Sequence, residues 1–231
     1  MIKLKEQHQA PNYISNLAYA EREWNAPTRN ETFEYLKDKD IQTIVDLGAN
    51  FGFFTDKCLQ EFPDLKRIDA VEPDDTNFEI LEYNLGNNSK VHLHHCGVYY
   101  GQEEVAVTGI GDNSPGGYMV KIVDKEHHGK YTDKLLTYEG KTFRVKPLEV
   151  LFKEAPDLIK MDIEGSEYNV LENSELLQKC PYLILEFHNH SSDYVRDFIY
   201  NWLPNFDVIA FTEEVYGDPS YWYVFLEKER N

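Results

Sequence analysis

Several large classes of protein are closed off by what the sequence lacks. It has three cysteines, Cys58, Cys96 and Cys180, far apart and with no Cys-x-x-Cys pair. Neither a zinc motif nor a disulfide framework is encoded, and a reducing compartment is the simpler reading. Basic residues are scarce: 23 Lys+Arg stand against 41 Asp+Glu, a formal net charge of −18. That balance argues against a surface built to neutralise nucleic-acid phosphates, and equally against docking on anionic lipid. No run approaches the roughly 20 apolar residues of a bilayer span. Residues 1–13 contain no apolar core of a secretory signal. A soluble, cytoplasmic protein is expected. Internal repeats and low-complexity tracts are absent as well.

What is present is enough chain for one sizeable domain. The 231 residues are 42% hydrophobic, which supplies the material for a real core. From about Ile41 onward, short apolar runs alternate with segments of helical period, the pattern of an α/β sheet with crossover helices. The runs are Thr43–Leu47, Arg67–Val71, Val91–His95, Leu158–Ile163, Tyr182–Phe187, Phe206–Phe211 and Tyr221–Glu227. Between them lie helical stripes such as Phe54, Cys58, Leu59 and Phe62, or Tyr194, Phe198, Ile199 and Trp202. The last two runs are too close for a helical crossover and should form an antiparallel pair at an edge of the sheet. Residues 1–40 read as a helical cap on one edge of the sheet, and 41–231 as the main domain. Within it, residues 101–145, rich in Gly, Asp, Lys and Tyr and centred on Gly111–Gly117, read as a variable insert of strands and substrate-facing loops.

The first strand runs into Asp46-Leu47-Gly48-Ala49-Asn50-Phe51-Gly52. Gly48 and Gly52 allow a tight turn and a close backbone approach that a Cβ would block. The crevice beyond the first strand is where open α/β sheets bind ligands. The spacing is Gly-x-x-x-Gly, and the Gly-x-Gly-x-x-Gly that wraps a pyrophosphate is missing, so a cofactor without a diphosphate is favoured. Asp46 can order this loop or accept a hydrogen bond from a ligand amine. Glu72-Pro73 ends the next strand about 20 residues beyond Gly52, where an acid accepts hydrogen bonds from both ribose hydroxyls in this architecture. The plainer alternatives are a strand terminator and an acid favoured by a helix macrodipole.

The stretch Lys160-Met161-Asp162-Ile163-Glu164-Gly165-Ser166-Glu167 is the most informative. Strand alternation puts Lys160, Asp162 and Glu164 on one face, which is unexpected for a strand buried on both sides. Glu186, His188 and His190 share a face of the following run. If the two strands are parallel neighbours, Asp162, Glu164, Glu186 and His188 converge. Such a cluster could supply a general base for a hydroxyl or hold a divalent metal through Asp162, Glu164 and His188. It could also be an ion-pair network around Lys160.

These residues together resemble the FkbM family of S-adenosylmethionine-dependent O-methyltransferases, of the Rossmann-like class I type. Asp46–Gly52, Glu72-Pro73, the Lys160–Glu167 block and Glu186-Phe187-His188 carry the resemblance, over roughly residues 41–190. The resemblance implies a seven-stranded, mostly parallel sheet with helices on both faces and a C-terminal antiparallel hairpin. It implies S-adenosyl-L-methionine as cofactor, with Asp46, Gly48, Ala49, Asn50 and Gly52 bordering its methionine part. Glu72 and Pro73 would then meet the ribose, Cys96 and Gly97 the adenine, and Asp162 the reactive methyl. Acceptors in such a family are hydroxyls of sugars, glycans or small natural products. Asp162 or His188 would take the hydroxyl proton, with Lys160, Glu164 and Glu186 shaping the field or helping a metal. Three rivals follow from the same residues. One is an NAD-dependent dehydrogenase, since Tyr35 and Lys39 satisfy Tyr-x-x-x-Lys, although they precede the cofactor strand. The others are a non-catalytic scaffold that kept the fold, and an RNA methyltransferase, which the charge balance disfavours.

Overall fold

The computed structural model describes residues 2–4, 11–101, 104–109, 118–119, 141–188, 191–214 and 221–229. Gly111–Gly117, most of the expected insert and His190 lie outside these. In chain order the elements begin with α1 (Pro11–Trp24), α2 (Pro27–Leu36), β1 (Thr43–Leu47), α3 (Phe53–Glu61), β2 (Arg67–Val71), α4 (Asp75–Leu85) and β3 (Val91–His94). Then follow β4 (Gly97–Val98), β5 (Glu104–Gly109), β6 (Tyr118–Met119), β7 (Lys141–Lys146) and α5 (Leu148–Leu151). The chain continues through β8 (Leu158–Met161), α6 (Glu167–Asn173), α7 (Glu175–Lys179), β9 (Tyr182–His188) and α8 (Ser192–Trp202), and ends with β10 (Phe206–Glu214) and β11 (Tyr221–Lys228).

Seven of the strands form one sheet in the order β10-β11-β9-β8-β1-β2-β3. The pairs β9–β8, β8–β1, β1–β2 and β2–β3 are parallel, and β11 runs antiparallel to both of its neighbours. This is the expected Rossmann-like sheet with its antiparallel pair at one end. A smaller sheet of order β4-β7-β5-β6 stands beside it. No helix among the described residues is long and apolar enough to cross a membrane.

Alternation along the strands divides the core. Val45, Leu47, Ile159, Met161, Leu183, Leu185 and Phe187 face one apolar layer, with α6, α7 and α8 packed on it. The opposite layer takes Ile44, Leu158, Ile184 and Phe225 with α2, α3 and α4. The second layer is the one interrupted by charge: Asp46, Lys160 and Glu186 are all buried on it. A parallel strand covered on both faces has no reason to carry ions for stability alone.

The N-terminal helices explain how those charges are tolerated. Of these helices, α2 lies across the face of the sheet over β9 and β11. Phe33 packs against Phe54 and Phe62, and Tyr223 Oη donates to Thr32 Oγ1 at 2.8 Å. Arg29 is fully buried. Its Nη2 donates to Glu186 at 2.7 Å and Glu23 at 3.2 Å, and its guanidinium sits 3.9 Å from the centre of the Tyr223 ring. Removing one member of a buried ion pair leaves the other uncompensated. Arg29→Ala is therefore expected to lower the unfolding free energy by about 3–5 kcal/mol in urea denaturation. The double change Arg29→Met with Glu186→Leu should recover most of that loss.

Candidate active site

Gly48 takes φ +75 at the end of β1, and a Cβ there would lie 1.8 Å from the Asp162 carbonyl oxygen. The loop thus crosses the end of β8 with no room for a side chain. Val71 O accepts both the Gly48 and Ala49 amides at 3.0 Å, which ties the loop to β2. Gly52, at φ +96, opens α3 and would push a Cβ to 2.6 Å from Leu85 Cδ1. Its small size serves the packing of α3 on α4, and it does not border the cleft described below.

Glu72, at the tip of β2, is buried and turned onto this loop. Its Oε2 accepts the Asn50 amide at 2.8 Å, while Oε1 accepts the Asp74 amide at 2.9 Å and Asn77 Nδ2 at 3.4 Å. Burial raises its pKa to about 7 against the pull of those hydrogen bonds. Asp74 caps α4 by accepting from the Thr76 and Asn77 amides.

Beneath the loop lies an ionic layer. Lys160 Nζ donates to the Gly48 carbonyl at 2.7 Å and the Leu47 carbonyl at 3.3 Å. It stands 3.5 Å from both Asp46 and Asp162. Burial opposes its charge, but Asp162 and Asp46 outweigh that and raise its pKa. Asp46 also accepts from Thr55 Oγ1 at 2.7 Å, so its carboxylate holds the loop from below and is not exposed to the cleft.

β8 ends at Met161, two residues earlier than the sequence pattern suggests. Asp162 and Glu164 therefore do not continue a strand face. Glu164 adopts φ +54 and Gly165 φ +102, a sharp turn at the N-terminal end of α6. The buried Glu167 holds that turn by accepting the Ile163 amide at 3.2 Å and the Gly165 amide at 2.8 Å. This turn, with the parallel neighbour β9, brings Asp162, Glu164 and His188 together. His188 Nδ1 lies 3.0 Å from Glu167, and Nε2 lies 3.8 Å from Asp162 and 3.7 Å from Glu164. Burial alone would lower the His188 pKa; Glu164, Glu167 and Asp162 overcome it and hold the value well above normal. Burial in turn lifts Glu164 to about 8, with His188 pulling the other way. Glu186 does not join this trio. It sits one strand step deeper, paired with Arg29, and burial raises its pKa strongly.

A cleft open to solvent runs over the carboxyl ends of β1, β2 and β8. Gly48, Asn50, Glu72, Pro73, Gly97, Asp162 and Glu164 line it, as do Asp74, Asn77, Phe143, Val145 and Ser166. Ala49 and Cys96 are buried beside it without lining it. Sequence reasoning missed Asp74, Asn77, Phe143, Val145 and Ser166. The capping pattern after Glu72-Pro73 could have exposed the first two, and the apolar alternation Phe143/Val145 the next two.

The Methyltransferase FkbM domain matches residues 46–211, which span most of the chain and every site residue above. The chain belongs to the FkbM methyltransferase family. No curated protein matches it in sequence. Among solved structures, the FkbM methyltransferase of Methylobacillus flagellatus is 19% identical with a TM-score of 0.54; the match covers 94% of this chain and 56% of that one. An rRNA methylase of Streptococcus thermophilus is 12% identical at a TM-score of 0.51, covering 89% and 98% of the two chains. A candidate tRNA methyltransferase of Streptococcus pneumoniae, solved with S-adenosyl-L-methionine, is 13% identical at a TM-score of 0.50, covering 87% and 73%. At these identities the likeness is one of fold.

For this FkbM methyltransferase, Glu72 makes a pH signature that can be checked. Its folded pKa is raised, so its contribution to stability is present below the ordinary value of 4.5 and is lost as pH rises towards about 7. Other buried acids add the same sign, so the informative quantity is a difference between proteins. The unfolding free energy of the unaltered chain should fall by up to about 3 kcal/mol more than that of Glu72→Gln across this window. Urea denaturation at a series of pH values measures it.

Proposed function

We propose that this chain transfers the methyl group of S-adenosyl-L-methionine to a hydroxyl of a sugar, a glycan or a small natural product. The observation that carries the reading is one cleft lined both by a buried acceptor carboxylate, Glu72, and by Asp162 and Glu164, with His188 behind those two at 3.8 and 3.7 Å. The cleft is open to solvent and lined by both apolar and acceptor groups, as a site for a nucleoside cofactor would be. In this reading Gly48 and Asn50 border the methionine part, Ala49 and Gly52 shape the loop that carries them, and Asp46 anchors it from below. Glu72 and Pro73 take the ribose, and Gly97 walls the adenine with Cys96 buried behind it. Residues 1–40 and the 101–145 insert choose the acceptor, since Phe143 and Val145 reach the cleft from β7. Three free, buried cysteines fit a cytoplasmic setting.

Methyl transfer from a sulfonium is an in-line displacement, and positioning carries much of the rate. Asp162 is the better proton acceptor of the two expected ones. Its Oδ1 is buried without a hydrogen-bond partner, while three carboxylates hold His188 in its charged form. His188 acts instead as a positioning group for Asp162 and Glu164, and Lys160 and Glu186 set the field beneath them.

The rivals fare less well. Tyr35 donates to Glu227 and Lys39 pairs with the same carboxylate at 3.3 Å, at the amino-end side of the sheet and away from the cleft. They cannot serve a hydride transfer there. A scaffold would have no need of the ionic layer under the loop. RNA acceptors meet a net charge of −18 and an acidic rim. Calorimetric titration should show binding of S-adenosylmethionine and none of NAD. Asp162→Asn should lower turnover by about 100-fold or more while S-adenosylhomocysteine binding stays within a few-fold. Full turnover in both Asp162→Asn and His188→Ala would sink the assignment of the base.

A further inference from the structure

The trio at the acceptor end fits a ligand of its own. We propose that Asp162, Glu164 and His188 bind one hard divalent cation, and that the acceptor is an oxygen-rich molecule whose neighbouring oxygens complete its coordination. The link to an acceptor rests on the methyltransferase reading above; the cation site itself does not.

Each of the three side chains offers one ligand atom, and the three atoms lie within 4.8 Å of one another. The separations from His188 Nε2, 3.8 Å to Asp162 Oδ1 and 3.7 Å to Glu164 Oε2, are too long for hydrogen bonds. Cis ligands of an octahedral ion stand about 3 Å apart, so His188 would draw towards each carboxylate by somewhat under about 1 Å to share one. The other ring nitrogen of His188 is held by Glu167 at 3.0 Å, the outer carboxylate that orients a metal-bound imidazole. Asp162 Oδ1 is buried and receives no hydrogen bond, an acceptor turned into the same space. Charge points the same way. Among the described residues, the ion pairs of four carboxylates, Asp46, Asp162, Glu164 and Glu167, are with Lys160 and one imidazole. A divalent ion and a neighbouring sulfonium would balance them with His188 neutral.

Two carboxylate oxygens and one imidazole nitrogen suit Mn²⁺ or Mg²⁺, and three of six positions remain for waters or acceptor oxygens. A hydroxyl coordinated there gives its proton to solvent water more readily. Its oxygen lone pair forms the O–C bond as the S–C bond breaks, and the sulfur keeps that pair and leaves as neutral S-adenosylhomocysteine. With the ion bound, Asp162 serves as its ligand and the ion takes over the acidification of the hydroxyl.

The test is a Mn²⁺ titration of the full chain followed by electron paramagnetic resonance, with S-adenosylhomocysteine binding measured on the same samples. One tight Mn²⁺ per chain is expected. Glu164→Gln and His188→Gln should each weaken it about 10-fold or more, with nucleoside binding changed no more than a few-fold. Absence of Mn²⁺ binding in the unaltered chain, or equal binding in both variants, overturns the site whatever the nucleoside does. Mn²⁺ binding that follows the trio without any nucleoside binding upholds the site and strikes the methyltransferase reading instead.

Discussion

The ammonium of Lys160 is the contact on which the rest of the site depends. It is buried between Asp46 and Asp162, and it donates to the carbonyls of Leu47 and Gly48. One cation thereby joins three things: the end of β1, the glycine loop that follows it, and the first residue beyond β8. A neutral side chain of similar length would fill the space but leave two carboxylates facing each other in a poorly solvated layer. Such a layer is costly to fold, and it persists because the helices above it bring a second cation. Arg29 reaches Glu186 from α2 across 157 positions of sequence. The N-terminal helices are therefore part of the site's electrostatics and not only a lid on the apolar layer.

Much of the frame was legible in the chain because each strand announces itself by the same rule. Thr43–Leu47 and Arg67–Val71 are short, mostly apolar runs followed by turn residues, and both stand as read. The short spacing before Tyr221 was enough to require an antiparallel partner. Glu72 could be found because its distance from the glycine loop is fixed by one helix and one strand. The error at Leu158–Ile163 has a specific cause. Alternation cannot tell that Glu164 will adopt a positive φ, because that conformation is imposed by Gly165 and by Glu167 reaching back to two amides. Asp162 and Glu164 do end up in one cluster, but through a turn and not through a pleat.

Other features could not be read because they rest on tertiary meetings. Gly48 and Gly52 look alike in the sequence, yet one makes way for a backbone carbonyl and the other for two leucine side chains. In the sequence Asp46 can either order the loop or meet a ligand amine, and only its contacts with Thr55 and Lys160 favour the first. Glu186 and His188 are two residues apart on one strand and share a face, yet one is sealed by Arg29 and the other stands beside Asp162 and Glu164. The difference comes from the length of α2's reach over the sheet, which no local pattern encodes.

The buried acids also say something about the state in which the protein works. Burial raises the pKa of Glu23, Asp46, Glu72, Glu164 and Glu186, which means that the fold is strained by their charge. Nothing about a stable core requires such a set; apolar residues of the same size would fold at least as well. A ligand that carries positive charge into this region relieves the strain by favouring the ionised forms, and so binds with energy that the empty fold holds in reserve. Binding and stability are then the same quantity seen from two sides. The acidity gathered in and around the cleft is the property that would select a cationic cofactor.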